Sequence, residues 1–285
     1  MNKRTIALTA WMFGFAISTA ACGAEQHPYD LTMPGLDGGA SPSARHQHAS
    51  PEESSKWNGV FEFAAEPVPN MPSELRIRIK DQDRVTLKAY ELNHEKLMHL
   101  IVVDRELTHF DHLHPEPQEQ GSFATSVTFP TAGAYKLFAD FVPKGRLNAT
   151  VSDWITVGED RGNEEPVILV PDDQEVKIAG RLAVSLVLSS HRAGEDVQLT
   201  FTIQDADTKK GITDLEPYLG AIGHVVILSS DAEQYLHVHP AENAGTGPAA
   251  VFWGIFPQAG SYKLWGQFKH RGELYTIPYV VEIVD

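Results

Sequence analysis

Phe-Pro-Thr-Ala-Gly-Ala-Tyr-Lys-Leu-Phe at 129–138 returns as Phe-Pro-Gln-Ala-Gly-Ser-Tyr-Lys-Leu-Trp at 256–265. No other feature limits the fold of this chain as much. At 285 residues there is room for two ordinary domains, and the copied segment makes them versions of one unit. A second pair of stretches agrees. Residues 98–115 and 223–240 carry histidines at matching places: His99, His112 and His114 become His224, His237 and His239, each 125 positions later. The copied Phe-Pro segments stand 127 apart, so the copies align with one small change of length between them.

From Trp57 onward the pattern is one of short apolar runs. Candidate strands lie at 59–63, 75–79, 98–103, 110–114, 122–129, 135–141 and 153–157. The second copy offers 182–188, 197–203, 224–228, 235–239, 251–256, 262–268 and 275–283. Pro, Gly and Asp/Asn clusters separate them, and no stretch has the period of a long amphipathic helix. Short, regularly spaced strands of this kind predict an all-β chain with two tandem immunoglobulin-like β-sandwiches. The expected domains are 57–158 and 174–285, joined by an acidic linker at 159–173 that holds Pro166 and Pro171. Ala-Gly-x-Tyr is similar to the tyrosine corner of immunoglobulin-like domains, which gives Tyr135 and Tyr262 a structural task. Leu137 and Leu264 fall where antibody domains place a disulfide cysteine, so these sandwiches close on apolar packing alone.

The amino terminus reads as a targeting segment. Lys3 and Arg4 precede an apolar run at 5–21, giving an expected signal peptide at 1–21. It ends Ser-Thr-Ala-Ala-Cys-Gly, and Cys22 is the only cysteine. The pattern resembles a bacterial lipoprotein signal in which Cys22 becomes the lipidated first residue, although Thr19 stands where leucine is usual. Simple cleavage after Ala21 is the alternative. Either way the protein is expected to be exported to the cell surface or periplasm. A tether at 22–56, rich in Pro, Gly, Ser and Ala, follows; its His27, His46 and His48 read as solvated linker residues. Losing Lys3 and Arg4 takes the net charge from −15 to −17, which argues against nucleic acid and anionic surfaces as partners.

His-Glu-Lys-Leu-Met-His-Leu-Ile-Val-Val…His-Leu-His-Pro and Gly-His-Val-Val-Ile…His-Val-His-Pro, each followed by Phe-Pro-x-Ala-Gly-x-Tyr, resemble bacterial exported proteins with YtkA-like domains. The resemblance covers nearly all of 57–285. It implies an exported immunoglobulin-like module and raises the expectation of a metal, copper in particular. His94 aligns with Leu219, which sets the two copies apart.

Side chains two residues apart on a strand share a face, roughly 6.6 Å apart along it, so His112 and His114 can converge. A paired strand brings His99 to them, and the same logic joins His224, His237 and His239. Three neutral imidazoles suit Zn²⁺ or Cu²⁺, with Cu²⁺ the tighter at equal availability. A blue-copper site is excluded because it needs a cysteine thiolate. Asp140 aligns with Gln267, and His270 with Pro143; these, with His94 and Glu95, are candidate extra ligands or supporting groups. His109 and His191 read as surface residues.

Three readings follow. The first is a membrane-anchored module that binds or buffers a divalent metal. The second is a metal-free interaction module with structural histidines. The third, a metal-dependent enzyme, lacks a recurring general base and any phosphate-loop, Gly-x-Ser-x-Gly or His-Glu-x-x-His motif.

Overall fold

The computed structural model describes residues 55–159, 167–173, 176–241 and 245–285, with the backbone alone described at His237 and His239. The signal peptide, Cys22 and nearly all of the tether lie outside the described residues. Among those described, no helix is long and apolar enough to cross a membrane.

The first copy contains β1 (Trp57–Phe63), β2 (Pro72–Asp81), β3 (Tyr90–Glu91), β4 (Met98–Asp104), β5 (Phe110–Leu113), β6 (Glu116–Pro117), β7 (Ser122–Thr128), β8 (Gly133–Pro143) and β9 (Ala149–Val157). The second contains β10 (Val176–Ala179), β11 (Leu182–Leu188), β12 (Asp196–Asp205), β13 (His224–Ser229), β14 (Tyr235–His237), β15 (His239–Pro240), β16 (Ala249–Ile255), β17 (Gly260–His270) and β18 (Glu273–Ile283). In each copy one sheet runs first–second–seventh–sixth in kind: β1-β2-β7-β6, and β11-β12-β16-β15 with β10 added at the edge. The facing sheets are β5-β4-β8, extended by β9, and β14-β13-β17-β18. This is the two-sheet order of an immunoglobulin-like sandwich, as the repeat predicts. The tyrosine corners form too. Tyr135 Oη donates to the Thr131 carbonyl at 3.1 Å, and Tyr262 Oη to the Gln258 carbonyl at 2.9 Å.

Each sandwich has its own core. Leu75, Ile77, Leu100, Phe123, Leu137 and Phe141 fill the first; Leu199, Phe201, Phe252, Leu264 and Phe268 fill the second. Three short strands, β3, β6 and β10, escape the sequence pattern because two to four residues are too few to express a period.

A third apolar cluster joins the copies. Ile101, Val103, Leu107 and Phe138 of the first pack with Val226, Leu228, Ala232 and Trp265 of the second, with Phe110 and Tyr235 at its margin. Under the repeat alignment every one of these residues has its counterpart in the same cluster. Phe110 stacks on Trp265 at 4.6 Å between ring centroids, and the mirrored pair, Tyr235 and Phe138, lies at 5.6 Å. The two sheets therefore meet as an isologous pair about a pseudo-two-fold axis, within one chain. Lys136 Nζ, almost wholly buried, reaches across to Glu233 Oε1 at 2.7 Å.

This contact explains β4. All seven of its residues are buried: Met98, Leu100 and Val102 face their own core, while Ile101 and Val103 face the other sandwich. The described end of the expected linker is also docked. Leu169 packs on the shared cluster, and Asp172 Oδ2 accepts from the Val280 amide at 2.7 Å.

Candidate metal centre at the junction of the sandwiches

His99 is the second residue of β4 and shares the inter-sandwich face with Ile101 and Val103. It lies opposite Asp140 on β8, and His112 on β5 lies opposite Ile101. His114 follows directly after β5. Hairpin pairing thus draws His99, His112 and His114 together, and their nearest ligand atoms all fall within 4.8 Å of one another.

The second sandwich enters the same cluster. His224, opposite Gln267 in the β13–β17 register, has its ring 4.7 Å from that of His112 and 5.5 Å from that of His99. His94 is 5.5 Å from His224 and 6.4 Å from His99, ring to ring. It occupies a two-residue turn with Glu95, both at positive φ, and the turn at Leu219–Gly220 repeats that conformation. The turns meet: a Cβ at Gly220 would stand 3.2 Å from Glu95 Oε1. Sequence reasoning expects one histidine group per domain, with His94 supporting the first alone. The ligand atoms that converge are those of His99, His112 and His114, and the His224 ring lies beside them because the sheets that carry these residues face each other. At His237 and His239 the backbone registers with Val226 and Trp253, and their side chains lie outside the described structure.

Gln267 Oε1 accepts from His112 Nδ1 at 2.7 Å, across the domain boundary, so it holds a histidine of the opposite sandwich. Asp140 is buried and accepts from Thr150 Oγ1 at 3.1 Å and from Asn93 Nδ2 at 3.5 Å. His270 is buried with Nε2 3.2 Å from Asp214 Oδ1. His109, expected at the surface, is half-buried beside Tyr135, while His191 is exposed and bonds the Glu282 carbonyl.

The protons of the cluster can be counted. His99 Nε2 donates to the Asn93 carbonyl at 2.9 Å, and with the Gln267 oxygen turned toward it His112 Nδ1 donates to Gln267 Oε1. Each neutral imidazole carries one N–H, so both are then used. His99 Nδ1 and His112 Nε2, 3.0 Å apart, are left with lone pairs aimed at each other. A proton between them would remove the conflict. Burial opposes it, pushing His112 down to about 3 and His99 to about 4, although the Asp140 carboxylate pulls the latter up. Burial also lowers His114, to about 4, and its Nε2 is buried without a hydrogen-bond partner. His99, His112 and His114 thus present nitrogens that could hold a metal ion. Ligands at right angles on a metal–nitrogen bond of about 2.1 Å stand about 3 Å apart, so the spacing fits.

The chain belongs to the DUF8832 family. Its family model, described as a domain of unknown function, matches residues 55–158 and again 176–285, so each sandwich is one family domain. No curated protein matches the chain. Among solved structures, domains 4 and 5 of the S-layer protein SbsC are 12% identical, covering 80% of this chain and 98% of that one, with a TM-score of 0.23. The D00-D0 domain of intimin is 11% identical over 80% and 100%, with a TM-score of 0.23. A putative membrane anchored protein from Corynebacterium diphtheriae is 9% identical over 80% and 57%, at 0.23. Scores this low carry no argument, and the immunoglobulin-like assignment of these DUF8832 domains rests on their own strand order.

The depressed imidazoles set a pH dependence for the metal-free protein. Unfolded histidine titrates near 6.5, so below that pH the unfolded chain binds protons that folded His99 and His112 refuse. Their contribution is complete above about 6.5 and is lost as pH falls toward 4, at up to about 1.4 kcal/mol per unit for each. Urea unfolding in chelator is therefore expected to show about 3 kcal/mol less stability from these two groups at pH 5 than at pH 6.5. His99→Gln with His112→Gln should remove most of that slope, leaving the share His114 carries. A wild-type curve already flat over that window would show that these imidazoles titrate normally.

Proposed function

We propose that this chain binds a divalent transition metal, Cu²⁺ ahead of Zn²⁺, at a non-catalytic site shared by its two sandwiches. His99 Nδ1, His112 Nε2 and His114 are the ligands, with His224 beside them as the second domain's contribution. The observation that carries this reading is the 3.0 Å approach of two buried imidazole nitrogens, His99 Nδ1 and His112 Nε2, beside the buried and unpartnered Nε2 of His114. All-nitrogen donors suit Cu²⁺ and Zn²⁺, and the Asp140 carboxylate, opposite His99, offsets their charge. The amino-terminal segment ending at Cys22 supports an exported, lipid-anchored protein. The resemblance to YtkA-like proteins belongs to the same reading. Binding or buffering of extracytoplasmic copper is the role that joins them.

The metal-free alternative has a definite structural form. If the Gln267 amide is reversed, its nitrogen donates to His112 Nδ1, His112 Nε2 donates to His99 Nδ1, and His99 Nε2 donates to Asn93. Thr276 Oγ1, which accepts from the unreversed Gln267 Nε2 at 3.2 Å, then donates to the amide oxygen. His99, His112 and Gln267 are then all satisfied as a structural relay, with His114 Nε2 left outside it.

Gln267→Glu separates the two. A carboxylate can only accept, so it fixes the His112 tautomer that frees Nε2 for metal, as supporting carboxylates do in metal sites. Under the metal reading the variant keeps or tightens Cu²⁺ affinity, while Gln267→Leu loses about 10–100-fold. Calorimetric titration of both variants checks this. Equal, negligible uptake by wild type and both variants would favour the relay.

A further inference from the structure

The first sandwich carries a second feature that is independent of the histidines. Arg76, Arg78 and Lys80 alternate along β2 with the core residues Leu75, Ile77 and Ile79, so all three face outward on one side of the sheet. They line a cleft of about 570 Å³ together with Thr86, Gln118, Glu119, Gln120 and Ser122. Its rim is fixed: a Cβ at Gly121 (φ +77) would stand 2.2 Å from the Leu87 carbonyl oxygen, so only glycine lets the 118–121 turn close on the 86–88 segment.

Three like charges on neighbouring same-face positions repel one another. The chain has 38 acidic residues against 23 basic, yet the cleft itself holds a single acid, Glu119. Arg78 pairs with Glu62 at its edge, at 2.6 Å. Among the described residues neither Arg76 nor Lys80 forms an ion pair. The second sandwich supplies an internal control. Register pairs Arg76 with Ala124 and Thr200 with Val251, Arg78 with Ser122 and Thr202 with Ala249. The basic row therefore corresponds to Thr200, Thr202 and Gln204, and the fold does not require it.

We propose that this cleft binds a phosphate-class anion, with Arg76 and Arg78 offering forked N–H donors, Lys80 a point charge, and the Gln118 and Gln120 amides neutral donors. A free phosphate and a phospholipid headgroup share this chemistry. The test uses the whole chain carrying Cys22→Ser, so that a lipid anchor contributes nothing. Inorganic phosphate is titrated in chelator and followed by calorimetry and amide chemical shifts. Flotation compares phosphatidylglycerol/phosphatidylcholine vesicles with phosphatidylcholine alone.

One saturable phosphate site is expected, weakened at least tenfold by Arg76→Gln with Lys80→Gln, whose melting temperature without phosphate should match wild type. Lys80→Gln alone serves if the pair fails to fold. Flotation with the anionic vesicles that inorganic phosphate competes away would make the headgroup the source; phosphate binding without flotation would make it a soluble phosphate. The proposal is overturned if neither probe binds, if flotation ignores phosphate, or if the variants bind like wild type.

Discussion

Trp265→Ala is expected to cost about 3–5 kcal/mol of stability and to weaken metal binding in the same step. The ring is 3% exposed and stacked on Phe110 of the other sandwich. Its removal takes away a large apolar surface, leaves a cavity in the shared cluster, and forfeits an aromatic pair worth about 0.5–1.5 kcal/mol beyond area. Trp265 and Gln267 are two apart on β17 and share a face, so loosening one shifts the carbonyl that orients His112. Val187→Ala, at an exposed position on β11, should change stability by about 0.5 kcal/mol or less. Urea unfolding checks the size of the loss, and copper titration of the same sample checks the coupling. A Trp265 variant as stable as wild type would mean that the sandwiches do not rely on this contact.

The second large effect belongs to the ligands. Metal that binds only the folded chain stabilises it by about 2.7 kcal/mol at a hundredfold excess over Kd. For a protein of this size that raises Tm by about 5–10 °C. In His112→Gln with His114→Gln the rise should vanish for Cu²⁺ and Zn²⁺ alike, while a urea unfolding transition persists in chelator. Differential scanning calorimetry with and without metal reads the first, and urea unfolding in chelator the second. A Tm rise of the same size in the variant would place the metal elsewhere.

Much of this architecture is legible in the sequence. Alternating runs bounded by Pro and Gly locate the long strands, and the repeat of Ala-Gly-x-Tyr fixes how each sandwich closes. Hairpin pairing foretells that His99 meets His112. What the sequence reading misses is the junction, and its signal was present. Met98–Val103 and His224–Leu228 do not alternate apolar with polar. They run nearly unbroken, as strands buried on both faces do. Phe110, Phe138, Tyr235 and Trp265 occupy what an isolated sandwich would expose to water. Combined with the repeat, these residues imply that each copy covers the other. The role of Gln267 is harder to foresee. Its partner His112 is 155 residues away in the chain, and nothing local to Trp-Gly-Gln-Phe points to it. Aligning it with Asp140 marks the position without naming what it touches.

The central proposal is that histidines of both sandwiches serve one binding event. It is tested most directly by calorimetric Cu²⁺ titration of untagged protein lacking residues 1–54, which removes His27, His46 and His48. Wild type, His112→Ala, His224→Ala and the double variant form a cycle across the domain boundary. Each single change should weaken the same tight event, and the double change should cost less than the sum, because residues acting on one site couple. Additive losses, or two events each lost to a different variant, would mean separate sites in separate domains. No uptake of Cu²⁺ by the wild type would make the cluster a structural relay.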